Sequence, residues 1–296
     1  MIITKINSGL GNQLFQYAAS RAISIRSNAT LKLDITFYES DTIRKYRLNQ
    51  FNVIENLATG DEIELYKTEE AVKKTFFKKV LNRMNSSGIE YVGKNHIKEK
   101  PWVNFEPSVL KLKDNFYLEG YWQNQSYFKS IRKTLLEEFT LKYPVDNLTR
   151  GLLEKVRNCN SVSLHIRRGD YLDIALFNVL SLEYYHAAMS FIKKKVDKPF
   201  FFVFSDDISW AKKHLNHIEN VLFIDQQGNE SEILELEIMK NCDHNIIANS
   251  TFSWWGAWLN QNQGKIIIAP HKWSHNRQFQ RNQDENEFIP AAWIRL

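Results

Sequence analysis

Apolar and polar residues change rhythm along the chain, and that rhythm predicts strands alternating with helices. The chain opens on an apolar run, Ile2–Ile6, followed by a turn-prone stretch from Asn7 to Asn12. From Leu14 to Arg26 the apolar positions Leu14, Ala18, Ala22 and Ile25 recur along one helical face. Leu31–Asp34 then reads as a second strand. This is the opening of a βαβ unit, with its glycine-containing turn at the carboxyl end of a strand. Glu62–Asn85 predicts a helix with Val72, Phe76, Val80 and Met84 at a spacing of four, and Lys73, Lys74, Lys78, Lys79 and Arg83 between them. A solvated amphipathic helix lying on a core is preferred there over attachment to a membrane surface. Tyr127–Leu141 predicts a further helix, and Pro144 with the polar run Asp146–Arg150 marks a boundary between domains 1–150 and 151–296.

The second half is the more regular. Strand-like runs at Ser161–Ile166, Phe200–Phe204, Val221–Ile224, Asn245–Ala248 and Lys265–Ala269 alternate with helical patterns at Leu182–Val196, Ile208–Leu215, Ser231–Asn241 and Thr251–Asn260. Near-continuous apolar strands such as Phe200–Phe204 are what burial on both faces of a parallel sheet requires. The expectation is an α/β protein of parallel sheets covered by helices on both faces. In such folds ligands sit beyond the carboxyl ends of the strands, so motifs at those ends gain weight.

Composition narrows the class. Hydrophobic residues make up 43% and charged residues 25% of 296, enough for two domains with cores of their own. The net charge of +5 is spread among interspersed acids and bases. A nucleic-acid partner, which demands a concentrated basic face, is therefore not expected. Aromatic residues, 13% of the chain, occur in short clusters that suit either core packing or a sugar-stacking surface. The two cysteines, Cys159 and Cys242, have no metal-binding spacing and suggest free thiols in a cytosolic protein. No run approaches the ~20 apolar residues of a membrane span, and no secretion signal is visible. The expected location is the cytoplasm, with peripheral contact at the inner face of the cytoplasmic membrane an open alternative.

Chemistry concentrates at strand ends. His165-Ile-Arg167-Arg168-Gly169-Asp170 closes the first strand of the second half. Alternation places His165 and Arg167 on one side and Arg168 and Asp170 on the other. Paired guanidiniums match phosphate oxygens; the alternative is an internal Arg168–Asp170 pair that fixes the loop. Asp206 and Asp207 end the next strand. Each is either the cap of the following helix or a carboxylate that accepts hydrogen bonds from guanine. The run Asn249-Ser250-Thr251-Phe252-Ser253-Trp254-Trp255 opens a helix, whose N-terminal N–H groups and hydroxyls suit an anion; the alternative is a cap with both tryptophans in the core. Ser8-Gly9-Leu10-Gly11-Asn12-Gln13 lets backbone approach a ligand closely and offers Asn12 and Gln13 as amide donors. No Asp-x-Asp spacing occurs anywhere in the chain, so metal ligation ranks below these readings.

These segments resemble the family 11 α-1,2-fucosyltransferases. The likeness rests on Gly9–Ala18, His165–Asp170 and Asn249–Trp258, with Leu118–Gln123 and Ala269–Trp273 in support, all in family order. The chain departs from the family pattern at Ser8-Gly9, where two glycines are usual. It departs again before Cys242, where Glu235 or Glu237 stands in place of a common Asp. The resemblance implies a GT-B-like architecture of two Rossmann-like domains with parallel sheets facing across a cleft. It implies inverting transfer of L-fucose from GDP-fucose to the 2-hydroxyl of a terminal β-galactoside, on an oligosaccharide or a lipid-linked glycan, with no divalent metal and no other cofactor.

Matching positions imply roles for this chain. Arg167 and Asp170 are the candidate catalytic residues, Arg167 by contact with the β-phosphate. Asn12, Gln13, His165, Arg168, Asp206, Asp207, Asn249, Ser250, Thr251 and Ser253 are the candidate donor-binding residues. Asp34 and Glu119 are candidates for the base that deprotonates the acceptor, although an oxocarbenium-like transition state can dispense with a strong base. Rival readings are another GDP-fucose-dependent transferase, α-1,6 or protein O-linked, and a non-catalytic nucleotide-sugar or glycan-binding module.

Overall fold

A computed structural model describes residues 1–67, 88–93, 95–101, 105–172, 179–225, 231–274, 280 and 288–296, with Asp170 described in its backbone alone. The described chain divides into two compact units. The first holds Met1–Tyr143 together with Phe288, and the second holds Pro144–Gln280 with Ile289–Leu296. The second unit begins at Pro144, and the polar run that follows it is the start of a helix. Asp146 caps Asn147–Arg157 by accepting the N–H of Thr149 at 2.7 Å.

In the first unit the strands are β1 (Ile2–Lys5), β2 (Leu31–Asp34), β3 (Ile89–Tyr91), β4 (His96–Glu99) and β5 (Phe116–Glu119). They form one sheet in the order β2-β1-β5-β4-β3, parallel except for the antiparallel edge strand β3. The helix predicted from Leu14 begins four residues earlier and spans Leu10–Ser27, because Leu10, Gly11 and Gln13 are buried as well. It ends at Asn28, held in the left-handed conformation (φ 51°) with its N–H turned back to the carbonyl of Ile25.

The helix expected over Tyr127–Leu141 is broken into two short 3-10 turns, Gln125–Tyr127 and Lys129–Ile131, and a seven-residue α-helix, Arg132–Glu138. The break is at Phe128, which leaves helical geometry (φ −134°) to bury its ring edge-on against Phe15 at 5.8 Å. Burial of a phenylalanine, worth about 1.5–3 kcal/mol, outweighs the few tenths that helix propensity offers there. Of the predicted helix Glu62–Asn85, the described part belongs to Gly60–Lys67; Val72, Phe76, Val80 and Met84 lie outside the described residues.

The second unit contains β6 (Ser161–Ile166), β7 (Phe200–Ser205), β8 (Val221–Ile224), β9 (His244–Ile246), β10 (Ile267–Ala269) and β11 (Ile294–Arg295). They form a parallel sheet in the order β11-β10-β9-β6-β7-β8. Both faces are buried, as the apolar runs require. Phe201 and Val203 join Val162, Leu164 and Ile166 on one side, while Phe202 and Phe204 pack with Leu153, Val156, Ile238 and Met239 on the other. The helices Leu182–Lys195, Ile208–Leu215, Ser231–Asn241 and Thr251–Leu259 lie within a residue of their sequence-derived limits.

Each sheet has a point where strand order reverses, and ligands of open α/β sheets bind there. In the second unit it lies between β6 and β9, and in the first between β1 and β5. Among the described residues, no helix is long and apolar enough to cross a membrane.

Candidate active site

The loops that follow β7, β6 and β9 leave neighbouring strands at their carboxyl ends, and side chains tie them together. Asp206, just beyond β7, accepts the backbone N–H of Arg168 at 2.8 Å and pairs with Arg167 Nε at 3.1 Å. The fit is close enough to demand glycine at the turn: a Cβ on Gly169 would lie 2.7 Å from Asp206 Oδ2. Asp207 is the cap of helix Ile208–Leu215, accepting the Trp210 N–H at 3.0 Å. Arg168 reaches Asp207 at 3.5 Å and stacks its guanidinium 4.1 Å from the Trp210 ring centre.

Among the described residues the internal pairings run from Arg167 to Asp206 and from Arg168 to Asp207; the Arg168–Asp170 pair considered from sequence falls on a side chain outside them. Asp170 stands in the 3-10 turn Asp170–Leu172, and its side chain lies outside the described residues. The alternation argument that grouped His165 with Arg167 ends with β6 at Ile166.

Tyr171 joins this cluster to the third loop. The Arg167 guanidinium lies 5.4 Å from the Tyr171 ring centre, and the Tyr171 hydroxyl donates to the carbonyl of Asn249 at 3.1 Å. Ser250 is the N-cap of helix Thr251–Leu259 in extended geometry, and its hydroxyl makes no capping bond. Thr251 opens that helix and is partly buried. Ser253 is turned away from the loop: its buried hydroxyl points at the carbonyls of Ser250 and Ala248, at 3.4 and 3.5 Å. Asn249 is buried and donates its amide to the carbonyl of Trp273 at 2.9 Å. Trp254 and Trp255 are fully buried and pack edge-on against each other, so they belong to the core and offer no sugar platform.

His165 is 4% exposed, and its Nδ1 has no hydrogen-bond partner among the described residues. Its ring meets Phe252 edge-on at 5.6 Å. Burial, with the Arg167 charge added, pushes the imidazole down to about 3, so it is neutral at ordinary pH. A buried nitrogen without a partner costs about 1–3 kcal/mol, and such groups mark places where a ligand completes the bonding. Glu235 lies within electrostatic reach of Asp206. Burial, then the charges of Glu232, Asp206 and Asp225, push its carboxyl up to about 8. Glu237, the other acid on that helix considered from sequence, pairs with Lys240 at 2.7 Å.

In the first unit the loop after β1 meets the segment after β5. Ser8 Oγ lies 3.3 Å from the Tyr121 hydroxyl, and Gln123 donates to Asn12 Oδ1 at 2.8 Å. Gln13 does not present its amide to a ligand. It is buried, donates to the carbonyls of Ser8 and Lys45 and accepts the Arg47 N–H, and so it braces the loop.

The two carboxylates offered as bases are both committed elsewhere. Asp34 is fully buried, accepting from Thr36, from Tyr117 at 2.5 Å and from Lys67 at 3.2 Å. Burial raises its carboxyl, but the Thr36 and Tyr117 hydrogen bonds and the Lys67 charge outweigh that and hold it below the usual range. Glu119 is drawn down to about 2, first by its His96 hydrogen bond at 3.1 Å and then by Lys5 and Lys98. Each is a poor proton acceptor near neutrality.

Sequence reasoning missed Tyr171, which had only its place beside Asp170 to signal it. Among the described residues, no group of three or more His, Cys, Asp or Glu side chains is placed to hold a metal ion.

The pattern that defines Glycosyl transferase family 11 matches residues 1–296. An alpha-1,2-colitosyltransferase of Escherichia coli is 34% identical, with 100% of this chain and 99% of that protein covered. A galactoside 2-alpha-L-fucosyltransferase, SEC1 of Bos taurus, is 28% identical over 48% of this chain and 41% of its own length. Among solved structures, the NodZ alpha-1,6-fucosyltransferase soaked with GDP-fucose superposes with a TM-score of 0.51 at 12% identity, over 87% of this chain and 91% of that one. That likeness assigns the two parallel-sheet units to the GT-B-like class.

Proposed function

Because this chain belongs to glycosyl transferase family 11, we propose that it moves L-fucose from GDP-fucose to the 2-hydroxyl of a terminal β-galactoside, inverting the anomeric carbon. The observation that carries this reading is the Arg167–Tyr171–Asn249 connection. It joins a guanidinium to the N-terminus of helix Thr251–Leu259 at the strand-order reversal between β6 and β9, a cradle suited to a diphosphate.

As the bond from the sugar to the β-phosphate breaks, negative charge gathers on the phosphate oxygens. Arg167, held in place by Asp206, and the N–H groups at the helix start stabilise that charge. One preorganised donor of this kind is worth about 3–4 kcal/mol. The guanidinium supplies the positive charge, so transfer proceeds without a divalent ion. Neutral His165 gives its unpartnered nitrogen to the nucleotide, and Ser250 and Thr251 are better placed for the phosphates than Ser253. The first unit carries the acceptor.

Purified protein incubated with GDP-fucose and lactose, with and without EDTA, tests this. The expected product is lactose fucosylated on the galactose 2-hydroxyl, at equal rates in both conditions. Absence of fucosylated product from every β-galactoside tried overturns fucosyl transfer. A rate abolished by the chelator overturns the role of Arg167 as the cation and leaves the transfer standing.

A second reading is favoured by the relative named for colitose transfer, which matches the whole chain. Colitose is fucose without its 3-hydroxyl. A tenfold or greater preference for GDP-linked colitose in the same assay selects that donor.

A further inference from the structure

Glu99 is the last residue of β4, beside β5 at the carboxyl edge of the first sheet. Its Oε2 accepts two backbone N–H groups from the turn after β5, Tyr121 at 2.7 Å and Trp122 at 2.9 Å. The turn is shaped around that carboxylate. A Cβ on Gly120 would lie 2.5 Å from Glu99 Cβ and 2.9 Å from its Oε2, and Trp122 adopts a left-handed φ of 53° to aim its N–H. The second oxygen, Oε1, takes no hydrogen bond from any described residue, and the side chain is only partly buried.

The surroundings suit a hydroxyl-rich ligand. Tyr121, 45% exposed, stands over the same turn and reaches Ser8 at the strand-order reversal between β1 and β5. The two other acids at this sheet edge have cation partners, Asp34 with Lys67 and Glu119 with Lys5 and Lys98. Glu99 has none among the described residues.

We propose that Glu99 is the general base of the transfer, taking the proton of the attacking acceptor hydroxyl on Oε1. The assignment rests on the glycosyl-transfer reading above and names the residue that reading leaves open. As the acceptor oxygen bonds to the anomeric carbon, its proton passes to Glu99, and the anomeric carbon–oxygen bond to the β-phosphate breaks with its electron pair leaving on GDP. Oε2 stays fixed by the two N–H groups, so the reacting oxygen is held in one orientation. Burial pushes the Glu99 carboxyl up to about 7 against the opposing pull of those N–H groups, which places its proton affinity near working pH.

Among the described residues, the ionisable groups around it are few. Tyr127, pushed up by burial and then by the Glu99 charge, remains a neutral phenol. Glu106 lies beyond Tyr127, accepting no proton from it and giving its own N–H to the Tyr127 hydroxyl at 2.8 Å. Glu119, His96 and Lys98 form their own cluster on the adjoining strands. Lys100 follows on the Glu99 strand, and Tyr121 completes the set.

The test compares wild type with Glu99→Gln, a change that preserves shape and the oxygen acceptor for the Tyr121 and Trp122 N–H groups. Wild-type kcat/KM for lactose is expected to rise with pH through an apparent value near about 7. The variant is expected to lose a hundredfold or more in kcat, together with that ascending limb, while its Kd for GDP stays within twofold. A variant that keeps its rate within tenfold, or keeps the limb, overturns the assignment of Glu99. If Glu99→Gln does not fold, a flat wild-type profile between about pH 5.5 and 8 overturns it equally. Wild type that transfers no sugar to any acceptor overturns the underlying reading instead, so the two failures are told apart.

Discussion

The Tyr171 hydroxyl donates to the carbonyl oxygen of Asn249 at 3.1 Å, and this one bond links the arginine loop after β6 to the helix that follows β9. A Tyr171→Phe variant keeps the ring beneath Arg167 and removes the hydroxyl that makes the link. A neutral hydrogen bond contributes about 1 kcal/mol net. Transfer is therefore expected to fall about fivefold with little change in melting temperature, read by steady-state kinetics beside a thermal melt.

Arg167→Ala removes the cation assigned to the departing phosphate. Loss of one preorganised donor of this type costs about a hundred- to a thousandfold in kcat. The lactose KM should move far less than kcat, and near-normal turnover would show that another cation neutralises the leaving group.

Sequence patterning reached the second unit's sheet far better than the interactions at its edge. Phe200–Phe204 could only be a strand buried on both faces, and Ile208–Leu215 begins at Asp207, an aspartate followed by an apolar helical period. The break at Phe128 was invisible because it depends on Phe15, more than a hundred residues away in the chain. The network that holds Glu119 was hidden for the same reason. Its partners Lys5, His96 and Lys98 come from β1 and β4, and no local pattern records that those strands flank β5. Gln13 looked like a ligand donor in a glycine-rich turn, yet its partners at Lys45 and Arg47 belong to a loop the motif does not reach.

Asp34→Asn tests the buried acid cluster of the first unit. The Asp34 carboxyl titrates below its unfolded value, so its contribution to stability is present above an unfolded pKa of about 4 and is lost as pH falls through the lower folded value. The variant is expected to be less stable by about 1.5–3 kcal/mol at neutral pH, the range for hydrogen bonds to a charged group. The gap from wild type should narrow below about pH 4 in denaturant titrations. A gap that widens on acidification would reverse the sign of the linkage.

His165 is buried as a neutral ring, drawn down to about 3. Replacing it with Ala should weaken GDP binding by a factor that stays constant between about pH 5.5 and 8, since the imidazole does not titrate in that interval. Calorimetric titrations at several pH values would read this ratio. A ratio that changes through pH 6–7 would mean that His165 carries a proton in the free protein.

The five residues Phe200–Phe204 contain no charge, no proline and no glycine, and their side chains fill two helical layers at once. Such a segment is harmless only while both layers stay closed, because it matches the signature of strands that stack with copies of themselves. Partial melting of either layer during heating or refolding would release a sticky aromatic ribbon. Loss of this protein on storage or overexpression should therefore follow concentration, as self-association does, and a charged residue within that strand would bring no relief, because it would open the native packing that keeps the ribbon covered.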